Sequence, residues 1–407
     1  MPPPRAGASP APTLFGQTCC RDNPCGCPGT PSPPLGGFHF EVLAEDTATQ
    51  ARRGRLHTPH GVVDTPVFMP VGTLASVKAL GPDDLERLGA QIVLANTYHL
   101  MLRPGEALVH KLGGLHRFMA YPGALLTDSG GFQVHSLAQR RKISEEGVHF
   151  ASHLDGRGLF LSPEECMRVQ QALGADILMA FDECPPLEAS KAYLEASLAR
   201  TTRWLHRCVA AWTERGRHAL FGIVQGGLSE ALRKRHTEEV CAVDLPGYAL
   251  GGFSVGEETQ ALHAGVAYAA PLLPRGKPRY LMGVGAPEDL VAGVAAGVDM
   301  FDCVLPTRCA RTGLLFTSEG RLNIRHARYR EDERPVDPLC TCFACRTFSR
   351  AYLRHLFQNR EILALRLNSL HNVHFLLQLM AHMRQAIEEG RMQAFVEEFA
   401  KRPKAPP

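Results

Sequence analysis

The feature of this sequence that most limits its fold is a regular alternation of short apolar runs with amphipathic stretches, beginning at about residue 38. The apolar runs end in Gly, Asp, Asn or Gln, and each is long enough for one buried strand. The eight runs are VVDTPVFMPVG, AQIVLANTY, GALLTDSGG, ADILMAFDEC, LFGIVQGG, GYALGGFSVG, RYLMGVG and VDMFDCVLP. Repeated strand–helix alternation predicts a parallel β-sheet, because parallel neighbours need a crossover between them.

Three helix starts lie between these runs. Residues 81–84, 162–165 and 286–289 each place a proline at a first helical position and acidic residues in the first turn. Eight strands that alternate with helices are typical of a (β/α)8 barrel, an α/β fold of about 250 residues. A doubly wound open sheet is the alternative, but no G-x-G-x-x-G fingerprint follows the first strand. We therefore expect an α/β TIM barrel.

Polar residues recur at one place in this pattern, the carboxyl end of an apolar run. The residues and glycines found there are Asp128, Asp182, Gln225, Gly251, Gly252, Gly283 and Asp302. In a parallel barrel these strand ends share one face, where active sites are built. A single aspartate at such a position usually caps a helix or a turn. Three carboxylates in one pocket indicate chemistry, because burying unpaired carboxylates costs several kcal/mol each.

The residue types at this face suit a flat, purine-like base. A carboxylate accepts hydrogen bonds from ring N–H and amino groups, Gln225 offers an amide, and glycines let a ligand approach the backbone. Phe132 places an aromatic ring beside Asp128 in the sequence. A further aspartate can attack a sugar carbon and form a covalent glycosyl intermediate. The pattern alone predicts a barrel enzyme that acts on a base or a sugar.

A metal site is predicted in the segment PLCTCFACRTFSR, which contains Cys340, Cys342 and Cys345. His371 follows in a helical stretch, and His374, about one turn later, is the rival fourth ligand. Three thiolates and one imidazole make a closed tetrahedral site, which is typical of structural zinc. We expect one zinc ion, bound by the three cysteines and His371, in a subdomain at about 315–375.

The three cysteines lie in a strongly basic part of a chain whose net charge is only +3. Eleven arginines and five acidic residues lie between Arg308 and Arg360. Guanidinium groups match phosphate oxygens, so this segment favours a phosphate-bearing partner. A solvated helical face is the alternative interpretation.

The first 36 residues are rich in Pro, Gly and Ser, and they predict a disordered tail before a catalytic domain at 37–407. The four cysteines of this tail (Cys19, Cys20, Cys25 and Cys27) could bind a metal, although a plain tail is the simpler interpretation. The chain has thirteen cysteines, and most stand alone in apolar surroundings, which indicates a reducing compartment. No apolar run has transmembrane length, and no signal peptide is evident. We expect a cytoplasmic protein.

The sequence resembles the tRNA-guanine transglycosylases, the bacterial queuine tRNA-ribosyltransferase family, from about Phe38 to Lys401. The motifs that carry the resemblance are RRGRL, TPVFMPVGT, NTYHL, RPG, TDSGGFQV, FDEC, QGG, GGFSVGE, PRYLMGVG, MFDCVLPTR, the cysteine cluster and LNSLHN. The resemblance implies a TIM barrel with a zinc subdomain inserted near its C-terminal end. It also implies a pentosyltransferase that replaces guanine at the wobble position (34) of tRNAs with a G-U-N anticodon (Asp, Asn, His and Tyr) by a deazaguanine.

The same resemblance implies roles for individual residues. Asp302 would be the nucleophile that attacks C1′ and carries a covalent aspartyl-ribosyl intermediate, and Asp128 would bind the base and manage its proton. The other substrate-binding residues would be Ser129, Phe132, Asp182, Gln225, Gly251, Gly252, Met282 and Gly283. Arg308 and Arg311 resemble the arginines that hold the anticodon loop. Asp299, earlier in the same strand as Asp302, is expected to be structural.

Departures from the family pattern refine the expected substrate. Val255 stands where eukaryotic relatives carry a smaller glycine, which favours the bacterial base 7-aminomethyl-7-deazaguanine (preQ1) over queuine. Phe253 replaces the usual leucine in the segment expected to meet the aminomethyl group. Ala286 replaces a lysine of many bacterial members, so one cationic contact is missing. The resemblance further implies a homodimer and no redox cofactor.

Two other interpretations lead to different residue requirements. A non-catalytic partner subunit of the same fold should lack the nucleophile and the base-reading aspartates, yet this chain keeps Asp302, Asp128 and Asp182. A barrel glycoside hydrolase would pair its nucleophile with an acid of raised pKa and would not need a zinc-held arginine segment. The base-exchange enzyme is therefore the preferred hypothesis.

Overall fold

The computed structural model describes residues 37–131 and 141–402 of the 407-residue chain. Its strands form one closed barrel and three small antiparallel sheets. In chain order they are β1 (His39–Glu45), β2 (Arg52–Thr58), β3 (Gly61–Thr65), β4 (Val67–Gly72), β5 (Ile92–Ala95), β6 (Ala124–Thr127), β7 (Arg141–Ile143), β8 (Val148–Ala151), β9 (Gly158–Leu161), β10 (Ile177–Met179), β11 (Ala219–Val224), β12 (Gly247–Leu250), β13 (Arg279–Leu281), β14 (Met300–Cys303), β15 (Leu314–Thr317) and β16 (Gly320–Asn323). The predicted tail, with its four cysteines, lies outside the described residues.

The barrel is built from β4, β5, β6 and β10 to β14, and each strand pairs in parallel with the next. It closes between β14 and β4, where Met300 lies opposite Val67 and Cys303 lies opposite Pro70. Each of the eight predicted apolar runs supplies one barrel strand. The predicted TIM barrel is confirmed, and the open-sheet alternative is wrong because the first and last strands pair.

Helices connect the strands and cover the outside of the barrel. In chain order they are α1 (Pro82–Leu88), α2 (Thr97–Leu102), α3 (Glu106–Lys111), α4 (Gly114–Met119), α5 (Pro163–Leu173), α6 (Lys191–Ala211), α7 (Glu230–Cys241), α8 (Thr259–Ala269), α9 (Pro287–Ala295), α10 (Leu305–Thr312), α11 (Phe343–Thr347), α12 (Arg350–Gln358), α13 (Ile362–Glu388) and α14 (Met392–Ala400). The predicted starts of α1, α5 and α9 are confirmed. Within the described ranges, no helix combines the length and apolarity needed to cross a membrane.

The sheet of β1, β2 and β3 covers one end of the barrel. Phe38 and Phe40 pack against the apolar side chains of the barrel interior, and the ring centroids of Phe38 and Phe221 are 6.1 Å apart. Arg52 of β2 binds both oxygens of Asp299, with 3.0 Å between Nε and Oδ1. Because Asp299 directly precedes β14, this sheet lies at the amino ends of the strands. The expected structural role of Asp299 agrees with this pairing, and the carboxyl ends form the opposite face.

The segment after β14 forms a subdomain against the long helix α13. Asn372 of α13 accepts a hydrogen bond from the backbone N–H of Phe316 at 3.0 Å. Its amide nitrogen donates to the carbonyl oxygens of Pro306 and Leu314, each at 3.0 Å. One buried amide therefore fixes α10 and β15 to α13, because leaving any of these groups unpaired would cost about 1–3 kcal/mol.

Candidate active site and metal centre

Asp302 lies in the last part of β14 and is half-buried at the carboxyl face of the barrel. Its Oδ1 accepts hydrogen bonds from the hydroxyl of Tyr280, at 2.6 Å, and from the backbone N–H of Gly283, at 2.7 Å. Burial raises the pKa of Asp302, and these two donors oppose that rise. Within the described part of the chain, Oδ2 has no hydrogen-bond donor. One oxygen is thus held in place, and the other is available to a substrate.

Asp128 follows β6 and is buried. Its Oδ1 accepts a hydrogen bond from the backbone N–H of Thr97 at 2.8 Å, and its Oδ2 accepts one from the side-chain amide of Asn96. Burial, followed by the negative charge of Asp302, raises the pKa of Asp128 to about 7. The structure therefore brings these two predicted residues into one electrostatic environment. A carboxyl group with this pKa exchanges a proton readily at neutral pH.

Asp182, Gln225 and Ser129 form a second, buried group beside the first. Gln225 Nε2 donates a hydrogen bond to Asp182 Oδ2 at 2.7 Å, and Ser129 Oγ donates to Asp182 Oδ1 at 3.3 Å. Burial raises the pKa of Asp182 to about 6. Gln225 Oε1 is buried without a hydrogen-bond partner among the described atoms. A buried acceptor without a hydrogen-bond partner favours the binding of a ligand or a water molecule beside it, because leaving a buried polar group unpaired costs free energy.

The glycines after β12 allow this group to pack against the backbone. A side chain at Gly251 or Gly252 would collide with the amide of Gln225, and Gly252 has a left-handed φ of +67°. Met282 is half-buried and Gly283 is exposed at the neighbouring strand end. The predicted residues from six strand ends, those of β6 and β10 to β14, are therefore brought to one face. Phe132 lies outside the described residues.

Two contributors to this site were not predicted. Asn96 follows β5 and so stands at the same kind of strand end as the predicted residues, which is a signal that the sequence did contain. Tyr280 lies inside β13, where an aromatic residue is typical of any strand, so its contact with Asp302 has no signal in the sequence. The Phe253 side chain is buried against Arg233, with the guanidinium carbon 3.9 Å from the ring centroid.

The predicted metal ligands gather in the subdomain between β16 and α13. His371 Nδ1 lies 3.6 Å from Cys340 Sγ, 3.6 Å from Cys342 Sγ and 3.3 Å from Cys345 Sγ. These separations fit a tetrahedral zinc ion, for which bond lengths of 2.3 and 2.0–2.1 Å place sulfur and nitrogen about 3.5 Å apart. His371 Nε2 donates a hydrogen bond to the carbonyl oxygen of Phe316 at 2.7 Å, which leaves Nδ1 free to bind a metal.

The four residues therefore form a closed set that could hold a metal ion. The rival ligand His374 lies outside it, since its Nε2 faces the hydroxyl of Thr341 at 3.4 Å. The cluster joins the loop before α11 to the middle of α13. A bound ion would thus fix the arginine-rich segment to the helix that also anchors α10 and β15.

Arg308 and Arg311 are both exposed on α10, the helix that directly follows β14. Arg311 Nε donates a hydrogen bond to the carbonyl oxygen of Thr307 at 3.0 Å. Arg308 forms no ion pair within the described ranges. Two cationic side chains thus lie one helical turn apart, close in sequence to Asp302, where they can meet an anionic substrate.

Comparison with known proteins agrees with this geometry. The chain matches the family described as Queuine tRNA-ribosyltransferase over residues 46–405. A protein of that name from Bacillus licheniformis is 55% identical over 365 residues, covering 90% of this chain and 96% of the relative. The Bacillus subtilis protein is 54% identical over the same coverage, and the Halothermothrix orenii protein is 55% identical over 89% and 97% of the two chains. The chain belongs to the queuine tRNA-ribosyltransferase family, whose members are pentosyltransferases.

Proposed function

We propose that this protein exchanges guanine at position 34 of G-U-N tRNAs (Asp, Asn, His and Tyr) for preQ1, through a covalent bond between Asp302 and the ribose. The observation that carries the proposal is the asymmetric environment of Asp302. Tyr280 and Gly283 hold one carboxylate oxygen, while the other has no donor among the described residues. A carboxylate oriented in this way suits nucleophilic attack at a sugar carbon.

The two aspartates divide the chemistry of the exchange. Asp302 Oδ2 attacks C1′ and forms an ester bond, while the bond from C1′ to N9 breaks and its electron pair leaves with guanine. Asp128 in its protonated form supplies the proton that neutral guanine requires, which its pKa of about 7 allows. Asp128 then takes the N9 proton of preQ1, whose N9 attacks C1′ and releases Asp302. Two displacements at C1′ retain its configuration.

Recognition of the base is assigned to the second buried group. Asp182 accepts hydrogen bonds from the ring N–H and amino group of guanine, and Gln225 and the backbone at Gly252 meet its carbonyl edge. Ser129, Gly251, Met282 and Gly283 are assigned to the wall of the same pocket, and Phe132 is assigned the stacking contact with the base. Because Gln225 Nε2 and Ser129 Oγ already satisfy Asp182, base binding requires these two side chains to turn partly toward the ligand.

The exclusion of queuine is assigned to Val255, which is half-buried in the loop after β12. Glu257 fixes this loop by accepting a hydrogen bond from the backbone N–H of Val255 at 2.9 Å. A branched side chain on a fixed backbone leaves less room for a cyclopentenediol. Val255→Gly should therefore gain queuine incorporation and keep preQ1 incorporation, as measured by release of labelled guanine from tRNA. Equal exclusion of queuine by both proteins would contradict the assignment.

The cysteine cluster is assigned one structural zinc ion, held by Cys340, Cys342, Cys345 and His371. The support is the fit of the sulfur and nitrogen positions to a closed tetrahedron and the orientation of His371 by Phe316. Four protein ligands leave no position for a substrate, so the ion contributes folding and not catalysis. The arginines that it helps to present, Arg308 and Arg311, are assigned to the anticodon loop.

A homodimer in the cytoplasm completes the proposal. Apolar side chains around the cluster are unusually exposed, with 79% of Leu339, 50% of Phe343 and 39% of Tyr352 accessible. An exposed group of this kind marks an interaction site, and a second copy of the chain is the proposed occupant. Light scattering should give twice the chain mass, and Phe343→Ser with Tyr352→Ser should give the monomer mass.

The exchange itself is tested by incorporation of labelled guanine into tRNA(Tyr). The wild-type protein should incorporate label, and it should not label a transcript whose nucleotide 34 is adenosine. Subsequent preQ1 should release the label from the first transcript. Binding of tRNA without any incorporation would instead favour the non-catalytic subunit.

A further inference from the structure

A cationic cleft outside the base pocket has no role in the exchange chemistry. It encloses about 930 Å³ beside α10, between β16 and the junction of α12 and α13. Its cationic side chains are Arg311, Arg325 and Arg360, with His326 beside them and Glu361 as its acidic member. Its apolar wall is formed by Phe357, Ala364 and Leu365. The cleft therefore combines positive charge with an apolar wall, and it has room for a nucleotide.

The guanidinium groups of this cleft are not neutralised by the protein. Within the described ranges, Arg325 and Arg360 have no ion pair, and Arg311 bonds only to the carbonyl oxygen of Thr307. Three other arginines of the same segment are ion-paired: Arg321 with Glu288, and Arg334 and Arg350 with Asp332. Three unpaired guanidiniums facing one space favour an external anion, since such groups bind phosphate oxygens.

The walls of the cleft are held in place by close packing and by hydrogen bonds. Gly313 ends α10 with φ +88°, and a side chain there would press on the stem of Arg325 and the ring of Phe357. Arg354 donates to the carbonyl oxygen of His326 at 2.9 Å and to Gln358 Oε1 at 2.7 Å. Arg354 thereby joins α12 to the segment that follows β16.

Arg360 has a backbone conformation that glycine would adopt more easily. Its φ is +59°, in the left-handed region, where the backbone of a residue other than glycine is strained. It forms the turn between α12 and α13, a position where glycine is common. An arginine kept in a strained position points to a use for its side chain.

We propose that this cleft binds the tRNA through the phosphodiester backbone of nucleotides other than the one whose base is exchanged. The inference rests on the proposed function, and it adds a second contact region to the tRNA interface. Arg311 belongs both to the cleft and to the helix that follows Asp302, so the cleft is continuous with the proposed anticodon contacts. The polyanionic backbone supplies several phosphates to a cleft that is lined by three guanidinium groups.

The test exploits the strain at Arg360. Arg360→Gly removes the charge and relieves the left-handed backbone, so it should keep or raise the melting temperature while weakening tRNA binding. We expect about a tenfold rise in the dissociation constant of tRNA(Tyr) and a similar rise in its KM for guanine exchange. The slope of log affinity against log salt concentration should fall by about one, and by about two when Arg325→Gln is added.

Two controls separate strain from charge. Ala120→Gly relieves a comparable left-handed residue, φ +52°, without changing charge, and Arg117→Ala removes an exposed arginine on α4. His116 of the same helix contacts Asp176 just before β10, which places α4 at the amino end of the barrel. Both controls should bind tRNA with the wild-type affinity and salt dependence.

The outcomes distinguish this inference from the proposed function. Unchanged affinity and KM in Arg360→Gly with Arg325→Gln, in a protein that still exchanges guanine, would overturn the cleft assignment. Weaker binding with unchanged KM would also overturn it, because the cleft would then hold RNA that is not being modified. If the wild-type protein exchanged no guanine but lost tRNA affinity in the variants, the proposed function would fail and the cleft would stand as an RNA site.

Discussion

Asp302 and Asp128 are carboxylates in one pocket, but their hydrogen bonds differ. Asp302 has donors on one oxygen, Tyr280 and Gly283, whereas Asp128 has a donor on each. The pKa of Asp128 is raised by burial and by the charge of Asp302. This difference is consistent with one carboxylate acting as a nucleophile and the other as a proton carrier.

Removing the Tyr280 hydroxyl should move the pH dependence of the exchange. The hydrogen bond from Tyr280 stabilises the charged form of Asp302, so Tyr280→Phe raises the pKa of Asp302 further. The rising, acidic limb of the pH–rate profile should shift to higher pH, with a rate loss of about tenfold at neutral pH.

The matched control for this substitution is Tyr248→Phe in β12. The hydroxyl of Tyr248 donates to the carbonyl oxygen of Val243 at 2.7 Å, away from the carboxylates. Tyr248→Phe should leave the position of the acidic limb of the pH–rate profile unchanged. An identical shift in both variants would mean that the effect is not transmitted through Asp302.

Asp128→Asn should change how stability depends on pH. Because the folded-state pKa of about 7 lies above the ordinary value, the proton on Asp128 contributes stability at low pH. This contribution is complete below about pH 4 and is lost as the pH rises through about 7. The variant carries no such proton, so it should gain about 1–4 kcal/mol relative to wild type between pH 4 and pH 8. Urea unfolding at pH 4 and pH 8 measures the difference in unfolding free energy between Asp128→Asn and wild type. A difference that is the same at both pH values would contradict the raised pKa of Asp128.

At the scale of elements, the C-terminal subdomain depends on α13. This helix carries His371, the proposed metal ligand, and next to it Asn372, which holds Phe316, Pro306 and Leu314. A metal bound by His371 and the amide of Asn372 would thus act at adjacent positions of one helix. Loss of the metal is expected to loosen β15 and the arginine-rich segment before it affects the barrel strands.

Removing a metal ligand should therefore weaken tRNA binding as well as stability. His371→Ala should lose the bound zinc, measured by atomic emission, and lower both the melting temperature and the tRNA affinity. His374→Ala, about one turn along the same helix, should retain one zinc per chain, because His374 is not one of the four residues whose ligand atoms come together. Equal zinc contents in the two variants would refute the ligand set.

The sequence was most informative where a local rule operates. Each apolar run of the barrel became a strand, and the prolines at 82, 163 and 287 began helices, since both depend on nearby residues. Because the carboxyl ends of parallel barrel strands share one face, the sequence also predicted that Asp128, Asp182 and Asp302 lie at that face. Tyr280 and the cationic cleft could not be predicted, because each depends on which residues the barrel and α13 bring together over long separations. Asp302 and Tyr280, for example, meet across neighbouring strands.

At the scale of the whole molecule, the two ends of the barrel have different tasks. The β1–β3 sheet covers the amino end, where Arg52 pairs with the buried Asp299 and donates to the carbonyl oxygens of Arg275 and Lys277. The carboxyl end holds the acids of the site. Stability and chemistry are therefore separated along the barrel axis, as is usual for this fold.

Breaking the pair at the amino end should destabilise the protein without changing the chemistry. Asp299→Ala leaves the buried guanidinium of Arg52 unpaired and should cost about 3–5 kcal/mol of unfolding free energy. Adding Arg52→Met should recover part of this loss, because the uncompensated charge is then removed. Urea unfolding of the wild type, Asp299→Ala and the double variant measures these unfolding free energies. Equal losses in Asp299→Ala and in the double variant would mean that no charge is left unpaired.

The proposed exchange depends on a covalent bond between Asp302 and the ribose of the tRNA. Wild-type protein and Asp302→Asn should be incubated with tRNA(Tyr) and 9-deazaguanine, which resembles guanine but cannot be glycosylated at N9, and then separated on a denaturing gel. A protein–tRNA band that forms with wild type and is absent with Asp302→Asn is the expected result. A covalent role for Asp302 would be ruled out if wild type formed no such band while still binding tRNA in a native gel, or if both proteins formed the band equally.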